Sequence, residues 1–140
     1  MADTTRVELQ AELAVRRADL WPLLATAEGV GRWLDEAEFE PKPGAPCRFR
    51  LREAVAVGEV AAVDAPQHIS FRWDWQDEPL GVPTVVAIDA IDHGQRTHLT
   101  LRHVGFRSAR QHELHEALWR YWFERLRRAA EALGVAAGSA

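Results

Sequence analysis

A chain of 140 residues, 47% apolar and 27% charged, has the size and composition of one globular domain that builds its own core without staples. A net charge of −4 gives no global pull toward nucleic acid or an anionic membrane, and no apolar run approaches the roughly 18 residues of a membrane span. The single cysteine, Cys47, excludes an intramolecular disulfide, and residues 1–6 hold no apolar leader segment, so the expected location is the cytoplasm.

Residues 6–14 (RVELQAELA) alternate, with Val7, Leu9, Ala11 and Leu13 on one face, and predict a strand. In the following RRADLWPLLATAEGVGRWL, Leu20, Leu23 and Leu24 recur at helical spacing beside Trp21. Asp19 is the expected N-cap, which places Pro22 in the first turn; a start near Arg17 would put a bend at Pro22 instead. Gly29 and Gly31 interrupt the pattern, so a second short helix is expected to carry Val30, Trp33 and Leu34.

From 36 to 106 the signals are those of strands and turns. EAEFE is short, and PKPGAP is a loop. CRFRLRE sets Cys47, Phe49, Leu51 and Glu53 inward against Arg48, Arg50 and Arg52 outward. VGEVAAVDAPQ reads as a strand that turns at Asp64 and Pro66. HISFRWDW then places Ile69, Phe71, Trp73 and Trp75 on one face. After the loop QDEPLGVP come the strand TVVAIDAI, the hairpin turn DHGQ, and the strand RTHLTLRHVGF with Leu99, Leu101 and His103 facing one way. Seven half-polar strands describe an antiparallel sheet with one wet face.

From Ser108 to Leu133 the period is helical: Leu114, Leu118, Trp122, Leu126, Ala129 and Leu133 form a stripe, widened by Trp119, Phe123 and Ala130. Ser108 is the expected cap, Gly134 the expected end, and GVAAGSA a frayed tail. The architecture is α+β: a single domain over 1–140, structured from about 6 to 133, whose sheet must curl around one long helix to cover its stripe.

Four stretches carry a family resemblance: LWPLLATAEGVGRWL, GEVAAVDAPQHISFRW, RTHLTLRHVGF and WRYWFERL. In this order they resemble the START-like (SRPBCC) superfamily, and within it the homologues of the activator of the heat-shock-chaperone ATPase. The resemblance implies the helix-grip fold, a curved antiparallel sheet of about seven strands wrapped around a long C-terminal helix, with two short helices after the first strand. It also implies a cavity between sheet and helix that commonly admits hydrophobic small molecules. Members of the superfamily carry lipids or hormones, cyclise aromatic polyketides, or regulate a chaperone in the stress response. The eukaryotic chaperone activators carry a further N-terminal domain, for which these 140 residues leave no room.

The aromatic set has two readings. Phe71, Trp73 and Trp75 should face the same side as Phe49, Leu51, Leu99 and Leu101, toward Trp119 and Trp122, and could fill a core. Rigid rings also wall a ligand cavity without collapsing it, which, with Trp33, makes these the candidate ligand contacts. His103, inward on the last strand, is the candidate polar anchor or acid–base, or a rim residue bonded to a loop. An enzyme of cyclase or hydrolase type would need a second polar group, and Glu53 and Asp35 are the weak candidates.

Other residue types carry less. His112 and His115 stand at i and i+3 with no local third ligand, so they read as surface residues, and His98 faces outward. Cys47 reads as a small buried hydrophobe, and Asp89 and Asp92 as a solvent-facing pair. The rows Arg48, Arg50, Arg52 and Arg125, Arg127, Arg128 read as solvated faces paired with glutamates. No metal, cofactor or catalytic nucleophile is called for, and neither is a nucleic-acid or membrane partner. The expected function is non-enzymatic binding of a hydrophobic or aromatic small molecule. A chaperone-associated or other protein-interaction role, or a homodimer with Trp21 as an exposed anchor, is the alternative outside catalysis.

Overall fold

The alternating stretches become one sheet. In a computed structural model that describes residues 3–138, the elements run β1 (Arg6–Leu13), α1 (Arg17–Ala25), α2 (Ala27–Val30), β2 (Glu36–Glu38), β3 (Pro46–Leu51), β4 (Ala54–Asp64), β5 (His68–Trp75), β6 (Thr84–His93), β7 (Arg96–Val104) and α3 (Ala109–Gly138). All seven strands pair antiparallel in the order β1-β7-β6-β5-β4-β3-β2. The chain is thus α+β, a curved sheet gripping a long C-terminal helix. Among the described residues no helix is long and apolar enough to cross a membrane.

Alternation also sets the two faces. Phe49, Leu51, Phe71, Trp73, Leu99, Leu101 and His103 are buried on the inner face, against Trp119, Trp122, Phe123, Leu126 and Ala130 of α3. Outward residues pair with one another. Arg50 meets Glu36, Arg102 meets Glu8 and Asp89, and His93 and His98 share Glu12. The helix arginines Arg127 and Arg128 meet Glu124, as expected of a solvated face.

Several boundaries differ from the sequence reading. Helix α1 starts at Arg17 with the extended Arg16 before it, so Asp19 is not its N-cap but lies in the first turn, near the positive end of the helix dipole. Pro22 is therefore inside α1; the carbonyl it leaves unbonded belongs to Ala18, an exposed residue. The side chain of Thr26 links the two short helices, accepting from Gly29 N at 2.9 Å and donating to the Pro22 carbonyl at 2.7 Å. Helix α2 stops at Val30, so Trp33 and Leu34 follow it in a turn. Both are buried, and Trp33 Nε1 donates to the Leu23 carbonyl at 2.8 Å. Trp21 is half-buried against the core, not an exposed anchor.

Two corrections bear on the site. Leu51 pairs with Ala54, leaving Arg52 and Glu53 as a two-residue turn. Glu53 is consequently exposed at the turn rather than inward. Arg52 has φ +61°, and its guanidinium stands 4.7 Å from the Tyr121 ring centre, away from the arginine row.

The stripe of α3 is rotated from the predicted one: its buried line runs through His115, Trp119, Trp122, Leu126 and Ala130, and Leu114 is 59% exposed. The helix also continues through Gly134 to Gly138, so the predicted tail is helical as far as it is described, and Ser139 and Ala140 lie outside the described residues. A Cβ at residue 134 would stand 2.2 Å from the Ala14 carbonyl oxygen, so Gly134 serves close approach and not termination.

Candidate functional site

The rings of β5 belong to one connected aromatic cluster. Trp73 stacks on Phe49 with centroids 5.2 Å apart and planes at 14°. It meets Trp75 edge-on at 5.7 Å and Trp119 at 5.3 Å. Phe71 contacts Phe49 edge-on at 5.0 Å. Trp33, Leu51, Leu99, Leu101 and Trp122 are all buried in the surrounding core.

Two histidines are built into the cluster through tryptophan. Trp119 Nε1–H donates to His103 Nδ1 at 3.0 Å. The other nitrogen, His103 Nε2, is 2.9 Å from the Thr84 hydroxyl, which donates in turn to the Trp73 carbonyl at 2.5 Å. The chain of donors is consistent with one form of His103, neutral with its proton on Nε2. His115 adopts the opposite tautomer. Trp75 Nε1–H donates to its Nε2 at 2.8 Å, and its Nδ1–H donates to the Gln111 carbonyl at 2.7 Å. The two imidazoles lie 5.2 Å apart, each 4.6 Å from Phe106.

Burial pushes His103 well below its ordinary pKa, with the charge of neighbouring His115 adding to the effect. Burial also lowers His115, against a raising contribution from the Gln111 carbonyl. Cys47 is buried, and desolvation, with a smaller contribution from Glu59, pushes its thiol up to about 12. That is the state of an inert structural thiol.

The cluster opens at one end into a groove of about 990 Å³. Its walls are the β3–β4 turn (Glu53, Ala54, Val55), the loop after β5 (Asp77, Glu78, Pro79, Leu80), and the first turns of α3 (Ser108, Arg110, Gln111, Leu114, His115, Leu118), with Trp75 between them. The loop is held in place locally. Asp74 Oδ1 accepts from Leu80 N at 2.7 Å, and Gln111 Nε2 donates to the Leu80 carbonyl at 3.1 Å. Ser108 starts α3 as expected, its hydroxyl accepting from Gln111 N at 3.0 Å.

Of the eleven candidate ligand contacts, Trp75 is the one that lines this groove; the other ten, His103 included, are buried in the packed interior behind it. Glu53 is brought to the rim, whereas Asp35 is committed elsewhere, accepting from Arg52 N at 2.6 Å. His115, Leu118 and the 77–80 loop were not among the candidates. His115 was legible in principle, because it stands four residues before Trp119 on the buried line of α3. His112 does not join it in a metal site: among the described residues no three histidine, cysteine or acidic side chains are grouped to hold a metal.

One buried donor stands out. Trp73 Nε1 is the only buried side-chain nitrogen or oxygen without a hydrogen-bond partner among the described residues. Trp73→Phe therefore loses ring volume but no hydrogen bond, while Trp119→Phe also orphans His103 Nδ1. Urea unfolding should show Trp119→Phe destabilised by about 1–3 kcal/mol more than Trp73→Phe. Equal losses, or the reverse order, would show that the Trp119–His103 bond contributes nothing.

The sequence model of the family described as activator of Hsp90 ATPase homolog 1-like protein matches residues 14–131. Similar solved structures include a protein from Mesorhizobium loti (TM-score 0.79, 23% identity, covering 89% of this chain and 95% of that one). The dimer of Aha1 from Colwellia psychrerythraea is similar too (0.74, 13%, 90% and 96%), as is an HSP90 activator from Plasmodium falciparum (0.70, 17%, 87% and 93%). At these identities the likeness carries the fold alone. A search of the curated proteins returned no match.

Proposed function

The chain belongs to the activator of Hsp90 ATPase homolog 1-like family, and from there we propose that it binds a hydrophobic or aromatic small molecule without transforming it. The observation that carries this reading is the groove itself. It is concave, walled by Val55, Leu80, Leu114 and Leu118, and has one half-buried indole, Trp75, fixed by its bond to His115. Apolar concavities with a few placed polar groups are the usual form of small-molecule sites. Burying about 200 Å² of apolar ligand surface yields roughly 5 kcal/mol gross. Alone, that gain corresponds to a Kd of about 0.2 mM, and association costs weaken it unless further apolar or polar contacts add to it.

Hydrogen bonding favours binding over catalysis. A cyclase or hydrolase needs an acid or base that reaches the substrate. Both nitrogens of His103 and both of His115 are already engaged, and His103 is fully buried. Titration with 1-pyrenemethanol tests the reading, since pyrene absorbs where tryptophan emits. A saturable loss of tryptophan emission is expected. Trp75→Ala and Leu118→Arg should each weaken the apparent Kd about tenfold or more, the loss of about 1.4 kcal/mol. Unchanged affinity in both variants would place the ligand elsewhere.

A second reading has its own observation. Leu114, Leu118 and Tyr121 follow at i, i+4 and i+7 along α3, with Leu114 59% and Tyr121 45% exposed. Such a ridge supports a protein partner, a chaperone included, or a second copy of the chain. A monomeric elution profile together with an empty pull-down would remove it.

A further inference from the structure

The groove's walls are apolar, but its rim is not neutral. Glu53 approaches from the β3–β4 turn, and Asp77 and Glu78 from the loop after β5; Arg110 on α3 is the one cationic side chain among the lining residues. His115 brings no charge, since both its nitrogens are committed in the neutral form. None of the three carboxylates, nor Arg110, forms an ion pair among the described residues. That contrasts with the sheet's outer face, where Glu8, Glu36 and Asp89 are each paired with an arginine. Three unpaired negative charges against one positive charge therefore face the opening.

Beneath them stands the ring of Trp75. Its indole is held from two sides, by its N–H bond to His115 at 2.8 Å and by edge contact with Trp73 at 5.7 Å. A fixed indole offers its apolar surface to a ring-bearing body with little loss of side-chain entropy. The preference for charge comes from the carboxylates at the rim, which attract a positive end.

We propose that the groove selects a hydrophobic cation: an apolar, ring-bearing body with an amine or another positively charged group at the end nearest Glu53, Asp77 and Glu78. The inference rests on the groove being the binding site. The apolar body is held by Leu80, Leu114, Leu118 and Trp75, and the charged end stays close to the carboxylates and to water. An anionic ligand of the same shape meets net repulsion, and a neutral one gains only the apolar contact.

A matched probe set separates these contributions: 1-pyrenemethylammonium, 1-pyrenemethanol and 1-pyreneacetate, titrated against tryptophan emission at low salt. The ammonium probe should bind about tenfold more tightly than the carboxylate, with the alcohol between them, and the spread should shrink in high salt. In the combined variant Glu53→Gln, Asp77→Asn, Glu78→Gln, the ammonium advantage should fall below about twofold while the alcohol keeps its affinity. All three side chains are exposed, so the variant is expected to fold. If all three probes bind with no order of charge, or if the order survives in the variant, the cation preference is wrong and the groove reading stands. If none of the three saturates, both fail together.

Discussion

Gly58→Ala is expected to lower stability by about 3 kcal/mol, the upper end of what an added methyl costs in a packed site. A Cβ built at residue 58 stands 1.9 Å from the carbonyl oxygen of Arg72 and 2.7 Å from its carbon. The obstacle is backbone, so no side-chain rotation relieves it. Strand β5 must move away from β4, and Arg72 lies between Phe71 and Trp73, the two residues that seat the aromatic cluster. The ladder between the strands is already irregular nearby, with a register shift between Val60 and Ala62. Gly31→Ala is the control. Gly31 has φ −64°, and a Cβ there meets nothing nearer than 3.3 Å, so its effect should stay within about 0.5 kcal/mol. Urea midpoints for the two variants decide the matter, and equal shifts would mean that β4 and β5 can separate at little cost.

Gly58 also shows what the sequence made legible. A glycine inside a strand pattern marks a bulge or a close backbone approach, and the residue stands in such a pattern. The strands and the inward faces of β3, β5 and β7 followed directly from period-two alternation, because each strand has one wet face. The long helix was equally clear, but its buried line was misplaced by one position. Counting leucines put Leu114 at the interface; the structure puts His115 there, because its two hydrogen bonds, to Trp75 and Gln111, offset the cost of burying an imidazole.

The groove was harder to foresee for a different reason. Alternation says which side a residue faces, not how deep it lies. Phe49, Phe71 and Trp73 do face the helix, but they touch one another and are covered. Open space begins only where β5 ends, at Trp75, and its other walls come from a turn, a loop and the start of α3. Loop placement depends on tertiary bonds such as Gln111 to the Leu80 carbonyl, which no local pattern encodes. Glu53 was assigned inward for the same reason: alternation was extended past Leu51 into a turn that has no faces.

The two histidines make stability fall steeply on mild acidification. Both have folded-state pKa values below the ordinary one of about 6.5 that the unfolded chain retains. Between that value and the folded-state values the unfolded chain binds more protons than the native one. The stabilising contribution is therefore complete above about pH 6.5 and is lost as the pH falls. The slope approaches about 1.4 kcal/mol per pH unit for His103, which lies well below its ordinary value, and His115 adds to it in the same direction. Geometry explains why the native state resists protonation. A proton on His103 Nδ1 would point at the Trp119 N–H, and one on His115 Nε2 at the Trp75 N–H, so each would break a Trp–His bond. Two positive rings 5.2 Å apart would also repel. The carboxylates act in a separate window. Glu8, Glu12 and Glu124 are held below their usual pKa by hydrogen bonds from Arg102, His93 and Arg127, so their contribution is lost only below about pH 4.5. Denaturant unfolding from pH 7.5 to about 5 isolates the histidine window. His115→Gln should reduce the slope there, and His103→Gln with His115→Gln should flatten it. A slope that survives both substitutions would mean that these imidazoles accept protons in the native state as readily as in the unfolded chain, and that the Trp–His bonds are too weak to hold them neutral.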